Sequence, residues 1–266
     1  MAKIIIESIS LTYADRNQSY KALENINLTI NEGEFVCILG SSGCGKSTLL
    51  SILQGLIKAD EGEGRVLIDD VPIKGPDVDR SFVFQHYSLF PWLTAKGNIV
   101  FGMKHSRNKY SKIEMDEISD GYLEKVGLKD AAGKYPAQLS GGMQQRIAIA
   151  RALAMDTEII LMDEPFGAID PKHRSEIQQL VSKLCREEGK TVVFVTHDID
   201  EALLLADRIV YMEPKRIKEV IPVSIPQPRQ REQLFKNENY LSLRKHIMSL
   251  FLKNVGEQIG GEEVYL

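Results

Sequence analysis

The sequence has few of the features that mark secreted, metal-stabilised or membrane-spanning proteins. It contains three cysteines, Cys37, Cys44 and Cys185, whose spacing matches neither a disulfide framework nor a zinc site. No stretch approaches the roughly 18 consecutive apolar residues that a membrane span requires. The N-terminus reaches an acid at Glu7, which is too early for a signal peptide. We therefore expect a soluble cytoplasmic protein, which could act at a membrane only through a partner.

An excess of positive charge is also missing. The net charge is −4 at pH 7, so the chain has no general attraction to nucleic acid or to an anionic membrane surface. There is no internal repeat and no low-complexity tract. Of the 266 residues, 43% are hydrophobic, which is enough for one large or two small globular domains with a core.

The apolar residues follow two kinds of strand pattern. Early in the chain they follow the pattern of half-buried strands, at Leu23, Ile26, Leu28 and Ile30 and then over 34–39 and 66–68. Later they form short, nearly continuous runs, at 82–84, 159–162 and 192–195. Continuous runs separated by helical patterns are typical of parallel strands that are covered on both faces. The polar, helical pattern of 104–138 predicts an insertion into this parallel-sheet core.

A glycine-rich loop follows the predicted strand 35–39. It reads Gly40, Ser41, Ser42, Gly43, Cys44, Gly45, Lys46, Ser47 and Thr48, and it fits the pattern G-x-x-x-x-G-K-[ST]. Glycines allow backbone N–H groups to wrap phosphates, and we expect Lys46 to reach the β- and γ-phosphates and Ser47 to bind Mg²⁺. The alternative is a chance glycine-rich turn, but a strand before the loop and an apolar helix at 49–53 favour a nucleotide site.

Two adjacent acids, Asp163 and Glu164, end the run 159–162. Ligands of open α/β sheets bind at the carboxyl ends of the strands, and adjacent strand residues point to opposite faces. We therefore expect different roles: Asp163 would serve the Mg²⁺ shell, and Glu164 would be the general base for the attacking water. The alternative is a solvated strand end.

A second anion-binding pattern lies at 139–146, where Ser140, Gly141 and Gly142 precede a helix over 143–153. A hydroxyl and free N–H groups at a helix N-terminus favour an anion. This is a partial site in a chain that already carries a complete phosphate loop.

In this order, the motifs resemble those of the ATP-binding cassette ATPases over about residues 1–220. The resemblance implies an α/β fold of the P-loop NTPase type. A RecA-like parallel-sheet core (1–86 and 156–220) would carry an N-terminal antiparallel β subdomain and an inserted α-helical subdomain (87–155). A C-terminal tail, 221–266, would contain a short amphipathic helix. Met143 and Ile169 stand where many members have Gln and Leu, and both are compatible with the motifs.

The resemblance also implies individual roles. Tyr13 matches the aromatic residue that stacks on adenine, Gln85 the glutamine that contacts Mg²⁺ and the attacking water, and His197 the histidine that contacts the γ-phosphate. The loop 168–170 matches one that crosses to the partner subunit. In the family, the Ser140–Gly142 turn closes over ATP bound to the opposite subunit, which implies a head-to-tail pair. A homodimer is the default expectation, and a pair with a sister subunit is the open alternative. Taken alone, each residue has an ordinary structural interpretation, such as a surface aromatic, a strand-end cap or a helix start.

The segment 86–103 contains the only tryptophan of the sequence. We expect it to form a hydrophobic docking site for a helix of a membrane partner. Alternatively, Leu89, Phe90 and Trp92 pack within their own helical insertion. With Met143 and the stretch "IPQPR", this segment resembles the nitrate/sulfonate/taurine importer branch. That branch implies a bacterial ATPase subunit on the cytoplasmic face of the membrane.

The implied partners are transmembrane permease subunits and, indirectly, a periplasmic or extracellular solute-binding protein, with no nucleic acid. An exporter subunit, or an importer of another small molecule such as a vitamin precursor, is the open alternative. A translation-associated cassette protein would normally carry two cassettes, and a chromosome-maintenance relative would carry a long coiled coil or zinc insertion.

Two smaller expectations concern Cys44 and the tail. Because Cys44 lies inside the phosphate loop, a thiol reagent attached there should block the nucleotide. The apolar stripe Leu243, Ile247 and Leu250 is expected to pack on the core rather than to act as a regulatory sensor.

Overall fold

A computed structural model describes residues 2–15, 18–60, 62, 64–85, 88–167 and 169–259. The chain divides into two compact units. The first unit consists of Met1–Ile73 and Val195–Leu266, and the second unit consists of Lys74–Phe194. None of the helices in these described ranges is both long enough and apolar enough to cross a membrane.

The first unit contains most of the β structure. Its elements before the second unit are β1 (Ala2–Asp15), β2 (Gln18–Asn31), β3 (Phe35–Gly40), α1 (Lys46–Gln54), β4 (Arg65–Ile68) and β5 (Val71–Pro72). The elements of the second unit are β6 (Arg80–Val83), α2 (Ala95–Lys104), α3 (Lys112–Lys125), α4 (Gly141–Ala154), β7 (Ile159–Asp163), α5 (Pro171–Glu187) and β8 (Thr191–Thr196). The last two residues of β8, Val195 and Thr196, belong to the first unit. The chain then forms α6 (Ile199–Leu205), β9 (Arg208–Glu213), β10 (Arg216–Pro222), α7 (Arg231–Leu234) and α8 (Glu238–Ile259).

An antiparallel sheet in the order β2-β1-β4-β5 occupies one part of the first unit. The four apolar residues predicted for this strand pattern, Leu23, Ile26, Leu28 and Ile30, are all buried in β2, and burial alternates with exposure from Ile26 to Ile30. In the same unit, β3 pairs in parallel with β9, and β10 pairs antiparallel with β9. All six residues of β3 are buried, so this strand is covered on both faces and not half-buried as its sequence pattern predicted.

The second unit combines parallel strands with a helical cluster. Its strands follow the order β8-β7-β6, and β6 and β7 are parallel. Helices α2, α3 and α4 pack around a shared apolar core that includes Ile99, Leu123 and Ile147. A capping box starts α3, because the Ser111 side chain accepts from the Glu114 N–H and the Glu114 carboxylate accepts from the Ser111 N–H. The fold is therefore mixed α/β with a parallel core, an antiparallel sheet and added helices, as the sequence predicted.

Two elements differ from the sequence patterns. Strand β6 ends at Val83, so Phe84 lies beyond the strand. Helix α8 has 22 residues, which corrects the expected short helix. It extends past the apolar stripe in both directions, because exposed positions such as Leu241 and Leu252 continue the helix without needing burial. The domain boundaries given above remain a prediction.

Candidate functional site

The phosphate-loop segment connects β3 to α1, and its glycines have conformations or contacts that other residues would not tolerate. Gly43 and Gly45 have left-handed backbones, with φ of +79° and +110°, which cost little only for glycine. A Cβ at Gly45 would lie 2.9 Å from the Ala22 carbonyl oxygen and 2.7 Å from Leu23 Cδ2. At Gly40, a Cβ would collide with the Met212 carbonyl oxygen. The motif therefore specifies the backbone of the turn.

Lys46 is the first residue of α1, and only 6% of its surface is exposed. Its ammonium group donates to the carbonyl oxygens of Gly40, at 2.9 Å, and Ser41, at 2.8 Å. In the described part of the chain, no carboxylate lies within salt-bridge distance of this ammonium. A buried cation is costly unless an anion compensates it. The local chemistry thus fits a polyphosphate.

The other loop residues differ in exposure. Ser42 and Ser47 are exposed, and Thr48 is half-buried. Cys44 is fully buried. Burial raises the pKa of the Cys44 thiol, and the Lys46 charge only partly opposes this. A thiol reagent would therefore need the loop to open before it could reach Cys44. That a reagent attached there blocks the nucleotide stays a prediction.

The acid pair lies at the end of β7, as predicted, but only the first of the two acids belongs to the strand. Asp163 is the last residue of the strand. Glu164 lies outside the strand with a φ of +43°, so the alternation of strand residues does not apply to it. A left-handed backbone at a non-glycine residue is uncommon and costs energy. The Gln85 side-chain Nε2 donates to Glu164 Oε2 at 3.3 Å, so the structure brings these two candidate site residues together.

The Ser140–Gly142 turn forms the N-terminus of α4. Ser140 is the N-cap, and its Oγ accepts from the Met143 N–H at 3.3 Å. A serine hydroxyl that accepts a hydrogen bond still has its own proton to donate. The N–H groups of the first helical residues, Gly141 and Gly142, have no intrahelical acceptor. Ser140 is exposed, and both glycines are half-buried. The turn can therefore offer several donors to an external anion.

One residue that the sequence analysis did not single out joins two of these motifs. Gln145 of α4 is buried, and its Nε2 donates to the Phe84 carbonyl oxygen at 3.4 Å. Phe84 directly precedes Gln85. The sequence could have indicated this role, because Gln145 is a polar residue close to the apolar helix residues Ile147, Ala148 and Ile149.

The remaining predicted residues lie at the ends or edges of elements. Tyr13 lies in β1 opposite Tyr20 of β2, and both side chains are exposed. His197 is exposed and follows β8 directly. In the loop 168–170, Ala168 lies outside the described residues. Asp170 is the N-cap of α5, where it accepts from the His173 N–H at 3.2 Å.

The candidate residues are divided between the two units. Tyr13, the phosphate loop and His197 belong to the first unit. Gln85, the Ser140–Gly142 turn and the acid pair belong to the second unit. Within the units, the contacts described above join Gln85 to Glu164 and Lys46 to its own loop.

The aromatic segment after Gln85 packs partly within the helical insertion, and whether it seats a helix of a membrane partner stays a prediction. His86 and Tyr87 lie outside the described residues. Leu89 packs against the helical cluster, and the Phe90 ring lies 4.4 Å from that of Phe101. Trp92 is 69% exposed, although its ring lies 5.5 Å from that of Phe90. The inner residues thus pack into the helical insertion, whereas the tryptophan presents an apolar surface.

Comparisons with known proteins identify the family. The sequence profile of the ABC transporter family matches residues 23–167. An uncharacterised ABC transporter ATP-binding protein of Methanocaldococcus jannaschii, MJ0412, is 44% identical, with 95% of this chain and 92% of that protein covered. The nitrate import ATP-binding protein NrtD of Synechococcus elongatus is 42% identical, with coverage of 93% and 90%. The bicarbonate transport ATP-binding protein CmpD of Synechocystis sp. is 41% identical, with coverage of 95% and 90%.

Solved structures agree with this result. A dimeric post-hydrolysis state of the ATP-binding cassette MJ0796, bound to ADP and Pi, has a TM-score of 0.75 and 39% identity, and covers 84% of this chain and all of that one. A further dimeric structure of MJ0796, a bacterial ABC transporter cassette, has a TM-score of 0.76 and 40% identity over the same shares. Because the profile, the relatives and the fold all agree, the chain belongs to the ABC transporter family and is one of its ATP-binding, ATP-hydrolysing subunits.

Proposed function

We propose that this chain powers the import of a small solute of the nitrate, sulfonate and taurine class through separate permease subunits. The names of two relatives support the proposal, because nitrate and bicarbonate are both small oxyanions. The chain would bind peripherally, through the permease, to the cytoplasmic face of a bacterial membrane. A solute-binding protein would deliver the solute to the permease and would not contact this chain.

The observation that carries the catalytic part of the proposal is the buried Lys46 ammonium, which contacts only neutral acceptors in the described part of the chain. The β- and γ-phosphates of ATP would supply the missing negative charge. Backbone N–H groups from Ser41 to Thr48 would surround the phosphates, and Tyr13 would stack on the adenine ring.

Magnesium fits the available donors. The described residues contain no cluster of three or more His, Cys, Asp or Glu side chains that could hold a metal ion. Mg²⁺ is usually bound by only one or two protein carboxylates, and substrate phosphates and waters supply much of its remaining coordination. We assign the Ser47 hydroxyl, the Gln85 amide oxygen and the Asp163 carboxylate as its protein ligands. The bound ion would neutralise charge on the phosphates.

Glu164 would accept the proton of the attacking water. The hydrogen bond from Gln85 Nε2 to Glu164 Oε2 supports this role, because it fixes the orientation of the carboxylate. His197 would contact the γ-phosphate. The base and its orienting residue would thus be carried on two neighbouring loops of the second unit.

Ser140, Gly141 and Gly142 would bind the γ-phosphate held by the partner subunit, so that ATP stabilises a closed homodimer. Their donors find acceptors only while a terminal phosphate is present, so hydrolysis removes the contact and the dimer opens. The exposed Trp92 surface, which follows Gln85 in sequence, would seat a permease helix and move with this cycle.

Solute uptake tests the proposal. Deleting the gene should abolish uptake of one solute in a panel of nitrate, sulfonates, taurine and thiamine precursors. Wild-type protein should restore that uptake, and Glu164→Gln should fail to do so at equal expression. Unchanged uptake of every solute in the panel, or full rescue by Glu164→Gln, would contradict the proposal. Increased retention of a solute by the deletion strain would instead support an exporter.

A further inference from the structure

Helix α6 starts immediately after His197 and Asp198, and side-chain bonds order the backbone on both sides of the histidine. Thr196 Oγ1 donates to Glu201 Oε2 at 2.8 Å and accepts from the Asp198 N–H at 3.1 Å. The Asp198 side chain caps α6, accepting from the N–H groups of Asp200, at 2.8 Å, and Glu201, at 3.2 Å. The orientation of α6 therefore determines the backbone position of His197.

Two side chains of α8 hold the first turn of α6. Tyr240 Oη donates to Asp200 Oδ1 at 2.7 Å, and Arg244 Nε donates to the same oxygen at 2.8 Å. Tyr240 is only 1% exposed. Hydrogen bonds to an ionised carboxylate are stronger than those between neutral groups. This contact thus fixes α6 at a point three residues beyond His197.

A third side chain holds the other end of α6. The Arg229 guanidinium, which is 6% exposed, donates to the carbonyl oxygens of Leu203, at 2.8 Å, and Ala206, at 2.6 Å. It also donates to the carbonyl oxygens of Val223 and Ile225 in its own segment. The last carbonyls of a helix have no intrahelical donor, and a cation is favourable there.

We propose that residues 223–251 form a C-terminal brace that holds α6 at both ends and thereby positions His197 for ATP hydrolysis. Tyr240, Arg244 and Arg229 are its positioning residues. The inference rests on the proposed role of His197 and assigns a function to the tail. Apolar packing alone would keep α8 in place without specifying the angle of α6, whereas directional bonds to Asp200 specify it.

The same helix provides a matched control. His246 Nε2 pairs with the Glu219 carboxylate of β10 at 3.0 Å. Phe251 packs edge-on against Tyr211 of β9, with ring centroids 5.2 Å apart. These contacts attach α8 to the strands of the first unit and do not involve α6. A His246→Gln variant therefore removes one α8 anchor and leaves the Asp200 contact intact.

The test compares Tyr240→Phe/Arg244→Gln with His246→Gln in the full chain. We expect faster amide hydrogen exchange over 196–205 in the first variant only. Its kcat should fall about fivefold, while its KM for ATP changes less than about twofold. In a His197→Ala background, the brace substitutions should reduce kcat no further, because they act through His197. The single variants Tyr240→Phe and Arg244→Gln each remove one hydrogen-bond donor, so they should give intermediate effects. They replace the double variant in the test if the double variant does not fold.

Unchanged exchange over 196–205 in the brace variant would overturn the inference. An equal effect of His246→Gln would also overturn it, since general loosening of α8 would then explain the result. An additional loss of kcat in the His197→Ala background would show that the brace does not act through His197. If His197→Ala alone hydrolyses ATP normally, the proposed role of His197 is wrong and the catalytic part of the brace fails with it. The exchange measurement still decides whether the brace holds α6.

Discussion

Gly45 is a position in the phosphate loop where one added methyl group would meet both backbone strain and a steric clash. Its φ of +110° is outside the range that other residues adopt readily. An alanine Cβ would lie 2.9 Å from the Ala22 carbonyl oxygen and 2.7 Å from Leu23 Cδ2. The leucine methyl can shift, but the carbonyl can move only if β2 moves. Left-handed strain of roughly 1–2 kcal/mol and overpacking of about 1–3 kcal/mol together predict that Gly45→Ala loses about 3 kcal/mol of unfolding free energy.

Gly43→Ala is the matched control. Gly43 is also left-handed, with a φ of +79°, but no described atom lies within 4 Å of the position of a Cβ. Only the backbone strain applies, so the expected loss is about 1 kcal/mol. Urea denaturation without nucleotide measures both variants against the wild type, and equal slopes would show that the unfolded states are comparable. Equal losses of unfolding free energy in the two variants would refute the steric argument.

Further predictions concern the base, the Ser140 turn, the buried thiol and the exposed tryptophan. Glu164→Gln should bind ATP but hydrolyse it at least about 100-fold more slowly, and it should form a dimer with ATP on size-exclusion chromatography; a variant that stays monomeric would contradict this. Ser140→Arg should abolish hydrolysis and leave the ATP affinity of the isolated monomer unchanged, whereas a collapse of that affinity would place the turn in its own chain's site. Because burial raises the pKa of Cys44, less thiolate is present at pH 8 than in a free cysteine. Iodoacetamide should therefore label Cys44 at least about tenfold more slowly in the native chain than in the urea-unfolded chain. Equal labelling rates, measured by mass spectrometry, would contradict the burial argument. Trp92→Ala should reduce co-purification with the permease while the isolated chain hydrolyses ATP normally, and undiminished co-purification would argue against the docking role.

Local sequence constraints explain why much of the fold could be predicted. The strand before the phosphate loop was predicted at 35–39 and extends over Phe35–Gly40. The helix after the loop starts at Lys46, earlier than the apolar run at 49–53 indicated, because the left-handed Gly45 is its N-cap. The Ser140 cap likewise starts α4 at Gly141, two residues before the predicted helix. Caps and glycines act within a few residues, so a single sequence carries most of this information.

The contacts that depend on tertiary structure could not be predicted. Tyr240 and Asp200 are 40 positions apart, and no local pattern pairs them. The turn at Glu164 was also missed, because an acid at a strand end gives no sign of a left-handed backbone. The sequence placed both acids correctly at the end of β7 but applied strand alternation to a pair of which only Asp163 lies in the strand. The Arg229 contacts needed the structure as well, since "IPQPR" indicates an extended segment and not which carbonyl groups the arginine binds.

The hydrogen bond between Gln145 and the Phe84 carbonyl has a consequence for the timing of the two subunits. In the proposed head-to-tail dimer, Ser140 at the start of α4 contacts the nucleotide of the partner subunit. Gln85 and Glu164 act on the nucleotide bound to their own chain. Because Gln145 ties α4 to the residue before Gln85, each chain carries a direct mechanical link between the two reaction centres. ATP binding at one site should therefore change the rate of hydrolysis at the other site. The dimer should then hydrolyse ATP cooperatively and not as two independent sites.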